Sequence, residues 1–500
     1  MLVIKLDRRR PRSLFRQMLE QIIQLIDAGV LAPGYHMPST RKLAERIGVN
    51  RSTVVKVYEE LWALGYVEST PGSYTLVRHR KDIVSAGHRP AAGKSRSQES
   101  LQESVQMTPQ SARGGLPQSR CGTLLQTARE DQMNKGTGVV RMDRLEPDPR
   151  LINRQLFAAS ARRAIHDPDF DMFGYCHPRG YPPLRKTLVR HMQLHGIHAS
   201  DENILITSGS QNSLQLIFQA YASPGKAVVV EAPTYSMVIP LLRQLGLKVL
   251  EVPMDRDGMA LEALRKVMAT QPVCLVYSMP SFHNPTGATM GQAKREALLD
   301  LCHRHGALLI EDSIEEEMKF FGKVHLPVKS MDDKGVVLYL GSFSKVLAPG
   351  LRTAWIIAGE QHIERLSKVK TAYELSSNTA SQVILQHFCS SGGYELHIRK
   401  MMRVFRKRMK TALGALKRHI PHDLASWEEP LGGFLIWLNI KPAIPDLESR
   451  LERHGVRVAQ GSDFFYTPHP GQSIRISISK CDEQEIEEGI RRLGQALAQG

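Results

Sequence analysis

The sequence predicts an α/β protein in two folded parts. A small N-terminal winged helix-turn-helix precedes a large domain on a mostly parallel sheet. Three observations carry this prediction. Apolar residues in the first 64 positions recur at helical spacing. No Phe, Trp or Tyr occurs between Tyr74 and Phe157, where the chain is Ser-, Gln-, Gly-, Ala-, Arg- and Pro-rich. Beyond residue 141, short apolar runs at 227–231, 273–278, 307–312 and 336–342 alternate with helical stretches such as 291–305, the pattern of βαβ units. The expected boundaries are 1–78, a flexible linker over 79–140, and 141–500.

Composition narrows the class. The 500 residues are 42% hydrophobic and 23% charged, an ordinary globular mix. No stretch is long and apolar enough for a membrane span, and the Arg-rich first twelve residues do not form a secretory signal. The six cysteines (121, 176, 274, 302, 389, 481) include no Cys-x-x-Cys pair, so neither a disulfide framework nor a metal site is expected, and a cytoplasmic location is. The net charge is +16, and residues 1–80 hold 13 Lys/Arg against 7 Asp/Glu, making them the most basic part per residue. A basic module on a near-neutral body predicts a polyanionic partner.

In the N-terminal part, Leu14, Met18, Ile22, Leu25 and Ile26 share one helix face, which Gly29 and Pro33-Gly34 end. Ser39 is placed to cap a second helix that stops near Gly48. Asn50 opens a third helix with Val54, Val57, Tyr58, Leu61 and Trp62 inward. Two helices joined by Gly-Val-Asn make a helix-turn-helix, whose second helix leads into a DNA major groove with Arg51, Ser52, Thr53 and Lys56. Residues 65–68 and 74–77 around Pro71-Gly72 form the wing. The pattern MPSTRKLA (37–44), GVNRSTV (48–54) and LGYVE (64–68) resembles the winged helix-turn-helix of GntR-type regulators over about residues 12–77. That resemblance adds Arg41 and Gly72 to Ser39, Arg51, Ser52, Thr53 and Lys56 as DNA-binding positions, with double-stranded DNA as partner. Tyr74 stands where a second wing glycine is common.

The large domain carries a dispersed set of chemical groups. Ser342-Phe343-Ser344-Lys345 follows an apolar run directly, and Arg352 lies seven residues beyond the lysine. A lysine at a strand end can form an imine once burial or neighbouring positive charge lowers its pKa. The serines and Arg352 suit a phosphate. Thr207-Ser208-Gly209-Ser210-Gln211 leads from a strand into a helix (212–221), an anion-binding arrangement that by itself also fits an ordinary strand–helix loop. Asp312 ends a strand where a carboxylate can pair with a protonated ring nitrogen. Tyr235 offers a stacking face, and Asn284 in Asn-Pro-Thr-Gly offers an amide to a phenolate oxygen. Together these describe a site for pyridoxal 5'-phosphate (PLP), whose ring acts as an electron sink.

Residues 141–500 resemble fold-type-I, class-I aminotransferases over nearly their whole length, which implies a smaller C-terminal α+β subdomain after the large-domain sheet. The fused architecture is similar to the MocR subgroup of GntR regulators, in which such a domain serves as sensor. The resemblance implies Lys345 as the imine-forming catalytic residue, Asp312 at the ring nitrogen, Asn284 at the phenolate and Tyr235 on the ring. It places Ser208, Ser210, Gln211, Ser342, Ser344 and Arg352 around the phosphate, Arg475 on an effector carboxylate, and Tyr175 at the partner subunit's phosphate. A homodimer is implied, often head-to-tail, with each DNA reader over the other subunit's large domain. Two positions depart from the family: Ile314 stands where a phenolate-supporting Tyr is common, and Glu146 where a Gly is usual. The reading is a PLP-dependent transcriptional regulator that senses an amino acid, an amine or PLP itself. The rival is a working aminotransferase, acting between an amino acid and a 2-oxo acid, with an appended DNA-binding part.

Overall fold

The computed structural model describes residues 4, 6–7, 13–69, 75–78, 138–167, 172–322 and 324–498. Gly72 and the wing tip and most of the expected linker lie outside them.

The reader is built from α1 (Leu14–Asp27), α2 (Thr40–Ile47) and α3 (Arg51–Ala63). Side-chain caps open each helix where the backbone N–H groups have no partner of their own. The oxygens of Ser13, Ser39 and Asn50 accept from the backbone N–H of Arg16, Lys42 and Ser52. Gly48 turns the chain between α2 and α3 at φ +66°, which costs a glycine little. Met18, Ile22, Leu43, Val54, Val57 and Leu61 are buried between the helices. The hairpin forms from β1 (Val67–Ser69) and β2 (Thr75–Val77), antiparallel with Val67 opposite Val77. Trp62 is half-buried and packs against this core, with the Arg406 guanidinium 5.9 Å from its ring.

After β3 (Val140–Arg141), α4 (Arg154–Ile165) and α5 (Pro182–Leu194), the chain enters an eight-stranded sheet. Its strands are β4 (Ile204–Thr207), β5 (Ala227–Ala232), β6 (Lys248–Asp255), β7 (Gly258–Met259), β8 (Val273–Ser278), β9 (Leu308–Asp312), β10 (Val337–Ser342) and β11 (Ala354–Ile357). The order is β4-β11-β10-β9-β8-β5-β6-β7; β10, β9, β8, β5 and β6 run parallel, while β11 and β7 are antiparallel to their neighbours. The crossovers use α6 (Ser210–Tyr221), α7 (Val238–Gln244), α8 (Leu261–Thr270) and α9 (Gln292–Arg304).

The uninterrupted apolar runs follow from this architecture. Successive residues of a strand face opposite sides, and both sides are covered. Val228, Val230, Tyr277, Ile310 and Leu338 enter one core, while Val229, Val276, Leu309 and Val337 enter the other.

Helices α10 (Glu360–Thr371), α11 (Thr379–Ser390) and the long α12 (Gly393–His419) lead to the C-terminal subdomain. There β12 (Ala425–Trp427), β13 (Leu435–Ile440), β16 (Ser473–Ser477) and β15 (Ala459–Gln460) pair antiparallel in that order. Helix α13 (Leu447–Arg453) precedes β14 (Val456–Arg457), which pairs with β3, and α14 (Glu483–Ala498) packs along α12. Among the described residues, no helix is long and apolar enough to cross a membrane, and five cysteines are free thiols.

Candidate functional site at the carboxyl ends of the parallel strands

In an open parallel sheet the carboxyl ends of the strands border the crevice where ligands bind. Asp312 is the last residue of β9 and pairs in register with Leu340 of β10, so Ser342, Ser344 and Lys345 emerge beside it. The β4–α6 turn supplies Ser208 and Ser210, while Tyr235 and Asn284 follow β5 and β8. Arg475 projects from the middle of β16.

The Lys345 Nζ donates to the Leu145 carbonyl at 2.8 Å. Burial pulls the lysine pKa down, with Arg475 and Arg352 adding to the effect and Glu315 and Glu146 opposing it. Asp312 Oδ2 accepts from the Tyr277 hydroxyl at 2.8 Å, while the buried Oδ1 has no partner. Burial raises the Asp312 carboxyl to about 6, against the Tyr277 hydrogen bond, which favours the charged form. Tyr235 is half-buried, its hydroxyl pushed up to about 12 by burial and by the Asp312 carboxylate. Asn284 Oδ1 accepts from Arg475 Nη1 at 3.1 Å, which leaves the buried Asn284 Nδ2 unpartnered. Arg475 is 7% exposed, donates also to the Asp143 carbonyl, and lies 5.0 Å from the Phe464 ring. A surface charge on a strand edge is thereby excluded for it. Burial brings its pKa down to about 10.

At the other end of the pocket, Gly209 precedes α6 at φ +113°. An added Cβ there would lie 2.2 Å from Arg352 Nη2, so the guanidinium can cross the turn only over a glycine. Arg352 Nη2 donates to the Ser208 carbonyl at 3.1 Å. The first backbone N–H groups of α6 have no intrahelical acceptor and point into this turn. Ser342 Oγ accepts from the Ser344 N–H at 3.1 Å. Gln211 Nε2 donates to the Met237 carbonyl, leaving its buried Oε1 unpartnered. The Ser208 hydroxyl donates to Glu374 Oε1 at 2.6 Å.

These residues fit PLP. Asp312 Oδ1 and Asn284 Nδ2 are a buried acceptor and a buried donor without partners, the chemistry a ring nitrogen and a phenolate oxygen require. The glycine turn under Arg352 leaves the backbone donors of α6 open to an anion. Pyridoxal phosphate is the cofactor this site takes.

Tyr175 is not brought to the pocket of its own chain. It is 82% exposed beside Phe173, over a groove lined by Ser377 and Asn378. Ile314 is buried in the apolar core and offers no hydroxyl. Glu146 pairs with Lys480 at 3.1 Å. Sequence reasoning missed Tyr277, whose signal was a lone phenol in an aliphatic strand. It also missed Glu315, a buried carboxylate raised to about 7 by burial and lowered in turn by Lys345 and Arg475. Nothing in the spacing marked Glu374 as the acceptor for Ser208.

On the reader, Ser39, Arg41, Arg51, Ser52 and Lys56 are exposed and Thr53 is half-buried. The Ser39 oxygen is engaged as the α2 cap, Arg41 pairs with Glu45 at 3.1 Å, and the Ser52 hydroxyl donates to Asn50. The opposite side of the reader packs on α12 of the same chain. The Arg399 guanidinium lies 4.3 Å from the Phe15 ring and 3.8 Å from the Glu60 carboxylate, and Arg16 reaches Glu395 at 3.3 Å. Arg78 Nη1 donates to the Val324 carbonyl at 2.6 Å.

Two family descriptions match the chain. "Bacterial regulatory proteins, gntR family" covers residues 14–77, and "Aminotransferase class I and II" covers 153–493. The HTH-type transcriptional regulator YdfD of Bacillus subtilis (strain 168) is 31% identical over 482 residues, covering 96% of this chain and 95% of that protein. The probable rhizopine catabolism regulatory protein MocR of Rhizobium meliloti is 27% identical over 500 residues, covering 99% and 96%. The structure of Pyrococcus horikoshii kynurenine aminotransferase, in complex with PMP, aligns with a TM-score of 0.70 at 29% identity, covering 74% of this chain and 94% of that one. With a gntR-type reader in front of an aminotransferase fold, the chain belongs to the class I and II aminotransferase family and, by this fused architecture, to the MocR subgroup of GntR-type regulators.

Proposed function

We propose that the protein is a PLP-dependent transcriptional regulator whose aminotransferase-like domain (141–500) senses an amino acid or amine and whose reader (1–78) binds DNA. The observation that carries this reading is the convergence of a buried, pKa-lowered Lys345 with the unpartnered Asp312 Oδ1 and Asn284 Nδ2 in one pocket, joined to a helix-turn-helix in the same chain. PLP supplies a reactive aldehyde on an electron-withdrawing ring. Lys345 would be the amine that holds it. Asp312 holds the proton on the ring nitrogen, Asn284 donates to the ring oxygen, and Tyr235 covers the ring. Ser208, Ser210, Gln211, Ser342, Ser344 and Arg352 hold the phosphate. For Ser208 this requires its hydroxyl to leave Glu374. Arg475 takes an effector carboxylate by a bidentate contact.

Residues Ser39, Arg41, Arg51, Ser52, Thr53 and Lys56, with Gly72 in the wing, read DNA. The protein works as a homodimer. Phe173, Tyr175, Tyr373 and Leu375 are 81, 82, 67 and 63% exposed, an apolar surface suited to a second copy, and Tyr175 there reaches the partner's phosphate. To switch DNA binding nearly completely, the effector must favour one arrangement by about 5.5 kcal/mol.

Lys345, Asn284 and Arg475 also favour residual transamination, in which Lys345 would serve as the general base. Ile314 opposes it by removing a hydrogen bond to the phenolate. Two assays on one preparation separate the readings. A salt-dependent gel shift altered by PLP or an amine supports the regulator, and multiple turnovers with an amino donor and 2-oxoglutarate support the enzyme. Lys345→Ala must lose the visible colour of the cofactor-loaded chain; if the colour stays, the lysine assignment fails.

A further inference from the structure

Away from the cofactor pocket, two histidines and a carboxylate converge. His191 lies in the last turn of α5 and His195 just past its end, four residues apart and so on one helix face. Glu317 lies in the turn that follows β9, five residues beyond Asp312. Both Nε2 atoms aim at the same carboxylate oxygen: His191 at 2.6 Å and His195 at 3.4 Å from Glu317 Oε1. All three ligand atoms lie within 4.8 Å of one another. We propose that His191, His195 and Glu317 bind one divalent transition-metal ion, zinc by preference, at the seam between the large domain and the DNA reader.

Two imidazoles and one carboxylate are the borderline nitrogen and oxygen donors that zinc takes with a fourth position open. Bonds of about 2.0–2.1 Å set tetrahedral ligands roughly 3.3 Å apart, so movements on the order of 1 Å bring the three atoms into place. The electrostatics favour a cation. Besides Glu317, the carboxylates of Glu60 and Glu395 act on His191, and Glu395 Oε2 is buried without a partner. Arg399 offsets Glu60, Arg16 offsets Glu395, and Lys319, which faces His195, is paired with Glu316. The simpler arrangement is a proton shared between His191 and Glu317. That satisfies one ring and leaves the second at 3.4 Å from the same oxygen, whereas a metal serves both rings at once.

The location gives the site a consequence. Leu194, between the two histidines, packs against the reader's core, and Glu60 of α3 faces the cluster. The turn bearing Glu317 is continuous with Asp312. A bound ion therefore ties the segment that faces the cofactor to α5, which packs against the reader through Leu194. This inference concerns a different site from the one proposed above and does not depend on it, since cofactor colour and DNA binding are read separately from metal content.

The test uses the full-length, PLP-loaded chain, stripped with a chelator and then titrated with zinc alone. One equivalent is expected to be retained through dialysis. X-ray absorption is expected to show a nitrogen and oxygen shell at about 2.0 Å with imidazole scattering and no sulfur. Glu317→Gln and His191→Gln, in preparations that keep the parent's colour and melting profile, should each weaken zinc binding by more than about 50-fold. Absence of retained zinc, a sulfur shell from the cysteines, or equal affinity in folded variants overturns the proposal and leaves a hydrogen-bonded His–Glu–His network. Should neither variant fold, the parent's absorption spectrum decides alone.

Discussion

The hydroxyl of Tyr277 donates to Asp312 Oδ2 at 2.8 Å, while the other oxygen of that carboxylate is buried with nothing to accept from. The phenol fixes the rotamer of Asp312, and the free oxygen remains available for a ring N–H. The arrangement costs the cofactor-free chain stability, because a buried charge is held ready for a partner that arrives later.

The cost gives a pH prediction. The folded carboxyl titrates at about 6 instead of 3.8, so between these values the folded chain binds more protons than the unfolded one. Stability therefore falls as pH rises through that window and stays lower above it. Asp312→Asn should raise the unfolding free energy of the cofactor-free chain at pH 7 by up to about 3 kcal/mol. It should also flatten that part of the stability–pH curve. The same variant should lose most PLP affinity. Denaturant melts from pH 4 to 8, with and without PLP, check both signs.

Gly209→Ala should damage the phosphate end without touching any reactive group. The φ of +113° is strained for alanine and the new methyl would meet Arg352 at 2.2 Å. A cost of about 1–3 kcal/mol follows from the backbone alone. PLP affinity, measured by fluorescence titration, should fall at least tenfold while Lys345 still reacts at high PLP.

Arg51→Ala should weaken DNA binding and lower the slope of log affinity against log salt by about 1. The residue is exposed at the start of α3 and far in the chain from the pocket. Cofactor colour should be unchanged, and a loss of colour would contradict the division of labour.

Arg399→Ala removes both the contact over Phe15 and the ion pair with Glu60. These partly exposed contacts together contribute about 1 kcal/mol. Hydrogen exchange in α1 and α3 should accelerate several-fold, with the parallel sheet as protected as in the parent.

Most of the fold was legible in the sequence because it rests on short-range physics. The reader's helices announce themselves by spacing and by Ser39, Gly48 and Asn50 at their ends. The strands announce themselves as apolar runs because both faces are covered. Strand β11 was not marked, since four apolar residues carry no period of their own. In the pocket, residues with distinctive local contexts were visible: Lys345 after its serines, Asn284 before Pro285 and Asp312 at a strand end. Those that act only through a distant neighbour were not: Tyr277 on Asp312, Glu374 on Ser208, and the carboxylates of Glu315 around Lys345.

Residue order alone determined that this chain has a DNA-reading front and an aminotransferase-like body with the chemistry of PLP, because helix caps, strand periodicity and reactive residue types are local properties. Tertiary structure decided which side chains remain without partners, how Arg352 passes over Gly209, and that His191, His195 and Glu317 meet beside the reader. Those depend on through-space approach between segments that are separate in sequence, which no local pattern encodes.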